Sequence, residues 1–273
     1  VRLKLILMNF KSKWLSNNNK IGASYDVLRE DANCINSCHA ASYCYINHNI
    51  QNKINPGYIK KMKRNFKLIS GPNFVKVIKK EIFSNNIHSM RFFSNGDLVF
   101  NDLEKSKIQL FNIFNLCDEL PKREFWIISR NMNTIFSVLY ARQKPQNLNI
   151  ILSVPEKAIT PGFKNQCDLL KVQLSFITDN PKISNCPASK SKRKINTCAA
   201  HGCDLCLKYD KKPRVFMVHG QNNIHKFRAV KNSHDAKSKE IRKQKILRIQ
   251  SKFLQEKNIK EDLENLRIEI EDN

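Results

Sequence analysis

Glu124-Phe125-Trp126-Ile127-Ile128-Ser129-Arg130 is the stretch on which the fold turns. Its consecutive aromatic and β-branched residues suit a strand buried on both faces, and the run is too short for an ordinary helix. The same signature returns downstream in Asn147-Leu148-Asn149-Ile150-Ile151-Leu152-Ser153-Val154, in Val172-Gln173-Leu174-Ser175-Phe176-Ile177-Thr178 and in Arg214-Val215-Phe216-Met217-Val218-His219-Gly220. Upstream, Met90-Arg91-Phe92-Phe93-Ser94-Asn95-Gly96-Asp97 is a shorter β-prone run that ends in small and acidic residues.

Between these runs the period lengthens to that of a helix. Residues 56–84 are helical around a Gly71-Pro72 break, with Phe74, Val77, Ile78 and Ile82 on one face. Residues 98–118 follow through Leu103, Ile108, Leu110, Phe111 and Phe114, and a further helix carries Ile135, Val138 and Leu139. Apolar strands alternating with helices indicate an α/β fold with a parallel sheet covered on both faces. Residues 12–33 are polar and irregular, punctuated by Gly22.

Several strands end in polar residues: Ser94 to Asp97, Ser129-Arg130, Ser153, Thr178-Asp179 and His219-Gly220. In α/β folds ligands bind at the carboxyl ends of the strands, so this recurrence marks a candidate site. Each residue also has a plain structural reading. Asp97 can cap the following helix, His219 can be a satisfied structural histidine, and Trp126 belongs to the core.

Seven of the nine cysteines fall into two groups. The first is Cys34, Cys38 and Cys44, with His39 and Tyr43 inside it. The second is Cys186, Cys198, Cys203 and Cys206, with His201 and Gly202 inside it. Closely spaced thiols converge on a metal at little loop-closure cost. Three thiolates leave one position of a cubane cluster open, whereas four close the shell of a structural zinc or an auxiliary iron–sulfur cluster. Cys117 and Cys167 stand apart beside apolar residues and read as small core hydrophobes.

The apolar run from Leu3 to Phe10 is too short to span a bilayer, and no small-residue cleavage site follows it. The expectation is a cytoplasmic protein with no membrane partner, in a reducing compartment where clustered cysteines favour metals over disulfides. A formal net charge of +24 points to nucleic acid, although abundant Lys, Asn and Ile also fit a coding sequence rich in A and T. Residues 226–260 carry 12 Lys and Arg against 3 Asp and Glu, and the last residues turn acidic. This tail reads as a long helix. Seven glycines make a phosphate-cradling loop improbable, and no nucleophile–base motif or His-Glu-x-x-His pattern stands out.

Taken in order, Cys44-Tyr45, Arg91 to Asp97, Phe125 to Arg130, Asn185-Cys186-Pro187-Ala188 and Cys198 to Cys206 resemble the phage gene product 88 family. The likeness covers roughly residues 17–220 and leaves the tail unaccounted for. Through that family the chain resembles radical S-adenosylmethionine proteins of phages and mobile elements. The last gap of its cysteine trio is five residues, where that superfamily usually has two.

The resemblance implies a full or partial (β/α) barrel over residues 17–182, after an extension at 1–16. A cysteine-rich segment with the last strand follows at 183–225, then a helical tail at 226–273. It implies a 4Fe-4S cluster on Cys34, Cys38 and Cys44 that binds S-adenosylmethionine for reductive cleavage to a 5′-deoxyadenosyl radical. Ser94, Gly96, Asp97, Ser129, Arg130 and Ser153 would then hold that cofactor, with Asp97 on the methionine ammonium. A second cluster or zinc would sit on Cys186, Cys198, Cys203 and Cys206. Flavodoxin or ferredoxin would donate the electron, and both cysteine groups would lie at one barrel mouth. The alternative is a non-enzymatic nucleic-acid-binding protein with structural zinc at the second group and a basic helical tail.

Overall fold

Among the described residues, six parallel strands and one antiparallel edge strand form a sheet whose order in space is the order in sequence. The computed structural model describes residues 11–18, 22–34, 56–187, 203–217, 227–229 and 244. The chain divides into two units, Val1–Ile224 and His225–Asn273. The sheet belongs to the first; of the second, residues 227–229 are helical.

The strands are β1 (Ser16–Asn18), β2 (Gly22–Tyr25), β3 (Ser89–Phe92), β4 (Glu124–Ser129), β5 (Leu148–Ser153), β6 (Val172–Thr178) and β7 (Arg214–Met217). β1 runs antiparallel to β2, and every later pairing is parallel. Among the described residues β1 pairs with β2 alone and β7 with β6 alone. The helices are α1 (Pro56–Ile69), α2 (Phe74–Ser84), α3 (Leu103–Glu119), α4 (Met132–Ala141) and α5 (Pro161–Leu169).

Strands laid down in sequential order, with crossovers of one hand, put all the connecting helices on one face. The packing agrees. Ala23, Tyr25, Met90, Phe92, Phe125, Ile127, Leu148, Ile150, Leu152, Val172 and Leu174 share one core with residues of all five helices. Their neighbours along the strands point the other way. That opposite face carries Ser24, Arg91, Trp126, Asn149, Ile151, Gln173 and Ser175, outside the apolar core. Both faces are therefore covered, as expected, but helices cover only one of them.

Local chemistry sets the boundaries. Asp102, Asn131 and Thr160 cap α3, α4 and α5 by accepting the amides of Lys105, Thr134 and Phe163. β3 stops at Phe92, earlier than the apolar run suggested, because Phe93 takes a left-handed φ of 59°. That conformation breaks an extended backbone. β1 and β2 lie in the stretch read as irregular. Gly-Ala-Ser-Tyr has no apolar run, and its strand is defined by its neighbours.

Candidate functional site

Two buried carboxylates mark the carboxyl ends of β2, β3 and β4. Asp26 follows β2 and is 1% exposed. Its Oδ2 accepts from the Ser24 hydroxyl at 2.8 Å and the Tyr58 hydroxyl at 2.9 Å. Its Oδ1 accepts from the Ser94 hydroxyl at 2.7 Å and the Asn95 amide at 3.0 Å. Four donors fill the four acceptor positions of a carboxylate. Burial, and then the Asp26 charge, push the Tyr58 phenol above its ordinary range. α1 is fastened to the same point, since the Asn65 side-chain amide donates to the Asp26 carbonyl at 2.9 Å.

Asp97 lies in the turn after β3 and is 3% exposed. Its Oδ1 accepts from the Leu98 amide at 2.8 Å and from the Ser129 hydroxyl, and its Oδ2 accepts from the Arg130 amide at 2.8 Å. Among the described residues these are three donors for four acceptor positions. Burial raises its pKa to about 6, against the lowering effect of Ser129 and Arg130. The cap expected of Asp97 is supplied instead by Asp102.

Gly96 brings the two loops together. Its φ is +79°, and a Cβ placed there would lie 2.4 Å from the Val27 carbonyl oxygen. Only glycine permits that approach. The Val27 amide donates to the Asn95 carbonyl at 3.2 Å, and the Phe100 amide to the Ala32 carbonyl at 3.1 Å. The loop after β2 therefore lies along the loop after β3. Cys34 ends the described part of that loop, 6% exposed, with its amide donating to the Arg29 carbonyl at 2.9 Å. Cys38, Cys44 and His39 lie outside the described residues.

The residues expected to hold a cofactor divide accordingly. Ser129 and the Arg130 amide meet on Asp97, whereas Ser94 is held by Asp26 and Gly96 lies against the Val27 carbonyl. The Ser129 hydroxyl is committed there, donating to Asp97 and accepting the Asn131 amide at 3.0 Å. Ser153 ends β5 on the face opposite the core, and pairs in register with Ser175 of β6.

The second cysteine group is built elsewhere. Cys203 and Cys206 precede β7, and the Cys206 carbonyl accepts from the Asn149 side chain at 3.0 Å. Asn149 stands near the amino end of β5. Cys34 and Cys206 thus lie at opposite ends of the sheet, not at one mouth. The reason is the direction of the chain: residues 203–213 enter a parallel strand, whereas residues 26–34 leave one. Burial raises the Cys203 thiol, the Leu205 amide lowers it, and the charge of nearby Cys186 raises it further. Cys198, His201, Gly202, His219 and Gly220 lie outside the described residues. Among the described residues no group of three or more His, Cys, Asp or Glu could hold a metal. Cys117 and Cys167 are buried, and burial pushes the Cys167 thiol up to about 11.

Sequence reasoning missed Asp26, Tyr58 and the polar side chains inside β5 and β6. Asp26 follows a strand with no apolar signature. Asn149 and Gln173 were legible, because Asn149, Ile151 and Ser153, and likewise Gln173, Ser175 and Ile177, recur at the strand period.

No helix among the described residues is long and apolar enough to cross a membrane. The family described as Gene product 88 matches residues 10–171. The match takes in β1 to β5, Asp26, Cys34 and Asp97, and stops before the second cysteine group. No curated protein and no solved structure matches the chain.

Proposed function

We propose that this chain, which belongs to the gene product 88 family, is an iron–sulfur protein of the radical S-adenosylmethionine type. Its sheet is the wall of a full or partial (β/α) barrel. One observation carries the reading: the loop that begins the cysteine trio leaves β2 at its carboxyl end and lies along the turn holding Asp97. That is the end of a parallel sheet at which ligands bind.

The donor set fits the group. Cys34, Cys38 and Cys44 supply three thiolates and leave one iron position for a small ligand. A 4Fe-4S cluster held there supplies the electron for reductive cleavage of S-adenosylmethionine to a 5′-deoxyadenosyl radical. The chain's own residues do the positioning. Asp26 is saturated by four donors and fixes the loops, whereas Asp97, with three donors among the described residues, has an acceptor position to offer the methionine ammonium. With a pKa of about 6, Asp97 is mainly ionised at neutral pH, as a partner of a cation must be. Ser94 and Ser129 hold the carboxylates in place, and Gly96 lets the backbone come close. Arg130 and Ser153 meet the carboxylate and ribose of the ligand. A small flavodoxin or ferredoxin delivers the electron in a reducing cytoplasm.

Anaerobic purification with iron, sulfide and zinc analysis tests the reading, for the wild type and a Cys34/Cys38/Cys44→Ala variant. Broad absorption near ~400 nm that falls in the variant supports it. So does 5′-deoxyadenosine formed from S-adenosylmethionine and reductant. A zinc-only protein that never yields 5′-deoxyadenosine overturns it.

A second reading is favoured by the place of Cys203 and Cys206, at the amino end of the strands and away from Asp97. In it the chain is a non-enzymatic nucleic-acid-binding protein. Cys186, Cys198, Cys203 and Cys206 hold structural zinc, and the basic tail contacts phosphates. A colourless zinc protein with strongly salt-dependent nucleic-acid affinity supports it.

A further inference from the structure

α1 carries Lys60, Lys61, Lys63, Arg64 and Lys67 and no acid. Its basic side chains divide by face. Lys61, Arg64 and Asn65, three and four positions apart, turn to the segment before β1 and bind four successive carbonyls of it. Lys61 Nζ donates to the Ser12 carbonyl at 3.1 Å and the Leu15 carbonyl at 2.9 Å. Arg64 Nη2 donates to the Lys13 carbonyl at 2.7 Å, and the Asn65 side-chain amide to the Trp14 carbonyl at 2.8 Å. Residues 12–15 are thereby pinned along the helix. Two cations lie over the Trp14 ring, with Lys13 Nζ 5.4 Å and the Arg64 guanidinium 4.9 Å from its centroid.

Lys60, Lys63 and Lys67 form the outer stripe of the same helix, and all three are exposed, as is Lys13. Lys105 of α3 extends the surface, its Nζ 4.6 Å from the Phe66 ring centroid. Every ion pair found among the described residues lies elsewhere, so none of these cations is neutralised by a bonded acid. The acids that face them are Asp31, which interacts with Lys63, Lys105 and Lys67, and Glu30 beside it. Glu81 is turned to the Ser12 hydroxyl at 2.5 Å. None of the exposed large apolar side chains among the described residues lies on α1 or in residues 11–18.

We propose that this surface, made of α1, residues 13–14 and Lys105, binds the phosphate backbone of a single-stranded nucleic acid. Exposed cations in a row suit a chain of phosphates, and a pinned aromatic ring among them is what a single-strand platform adds. A lipid surface would call for apolar side chains beside the cations, and α1 exposes none that is large. The first turn of α1 also places the surface next to the candidate site, because Tyr58 donates to Asp26 at the carboxyl end of β2. The inference goes beyond both readings above: it needs neither a metal at either cysteine group nor the basic tail.

Anisotropy of a labelled single-stranded oligonucleotide with the full chain tests the surface, over roughly 50 to 200 mM salt. Lys60→Gln, Lys63→Gln and Lys67→Gln together are expected to make the log–log salt dependence shallower by about two, at about 0.7 per phosphate contact. Affinity at the lower salt is expected to fall at least about ten-fold. A matched variant, Lys122→Gln with Lys157→Gln and Lys182→Gln, loses the same charge from exposed positions elsewhere and keeps the wild-type dependence. Any share carried by the tail is common to all three proteins, so the difference reads α1. Lysine acetylation of the unsubstituted chain reads the same surface without a variant. Bound oligonucleotide is expected to slow modification of Lys60, Lys63 and Lys67 at least about three-fold, and to leave Lys122, Lys157 and Lys182 unchanged. Equal loss in the two variants overturns the proposal, as does absence of protection on α1. Vesicles of anionic lipid that bind the chain through these lysines, while oligonucleotide affinity ignores them, would assign the surface to a membrane instead.

Discussion

The Asp97 carboxylate accepts the Arg130 amide at 2.8 Å, joining the turn after β3 to the end of β4. The bond makes a buried acid part of the frame that holds two neighbouring loops. Burial of that acid, in turn, makes the stability of the frame depend on pH.

Asp97 has a folded-state pKa of about 6, raised from 3.8 by burial. The folded state therefore binds its proton more tightly than the unfolded state. The resulting stability is complete below 3.8 and is lost as pH rises towards 6. Asp97→Asn removes this dependence. Urea unfolding of both proteins at several pH values is expected to show the wild type losing on the order of 2–3 kcal/mol relative to the variant across that window.

Asp26 is the more costly residue to remove. Asp26→Ala leaves the hydroxyls of Ser24, Tyr58 and Ser94 and the Asn95 amide without their acceptor. Unfolding midpoints should show a loss of at least about 3 kcal/mol. Tyr58→Phe removes one donor of the four, and should cost about 1 kcal/mol.

Two glycines respond oppositely to the same change. Gly96→Ala forces a Cβ to 2.4 Å from a backbone oxygen at a φ of +79°, and is expected to cost about 2 kcal/mol or more in a thermal melt. Gly162→Ala, in the first turn of α5 with nothing within 4 Å of the new methyl, is expected to stabilise by up to about 1 kcal/mol.

The basic tail makes a prediction of its own. Anisotropy of a labelled single-stranded oligonucleotide with the full chain should lose about 10³-fold in affinity between roughly 50 and 200 mM salt, if six or more phosphates are contacted. Removing residues 225–273 should flatten that dependence. A flat dependence in the full chain would instead assign the charge to solvation.

How much of this was legible beforehand depended on whether a strand announces itself by what it buries. β4, β5 and β6 did, because Ile127, Ile150 and Leu174 sit in runs that only a covered strand tolerates. β2 did not: Ala23 and Ser24 are small, and the strand is held by Tyr25, whose ring packs edge-on to Phe74 at 5.3 Å. Asp26 was invisible for the same reason. Gly96 and Asp97 could be singled out because they end an apolar run, where ligands bind, and stand where the family resemblance implies a cofactor contact. Their partners, Val27 and Arg130, come from separate loops that only the folded sheet brings together. The cysteine spacings were plain, but spacing carries no information about which end of a strand a loop serves.

Because neighbours in the sheet are also neighbours along the chain, a ribosome delivers each strand to a partner it has already made. From β3 to β6 each strand meets its next partner after a single α-helix, which keeps contact order low for so large a sheet. β7 emerges last among the described strands, so the growing edge stays open until residues 214–217 leave the ribosome.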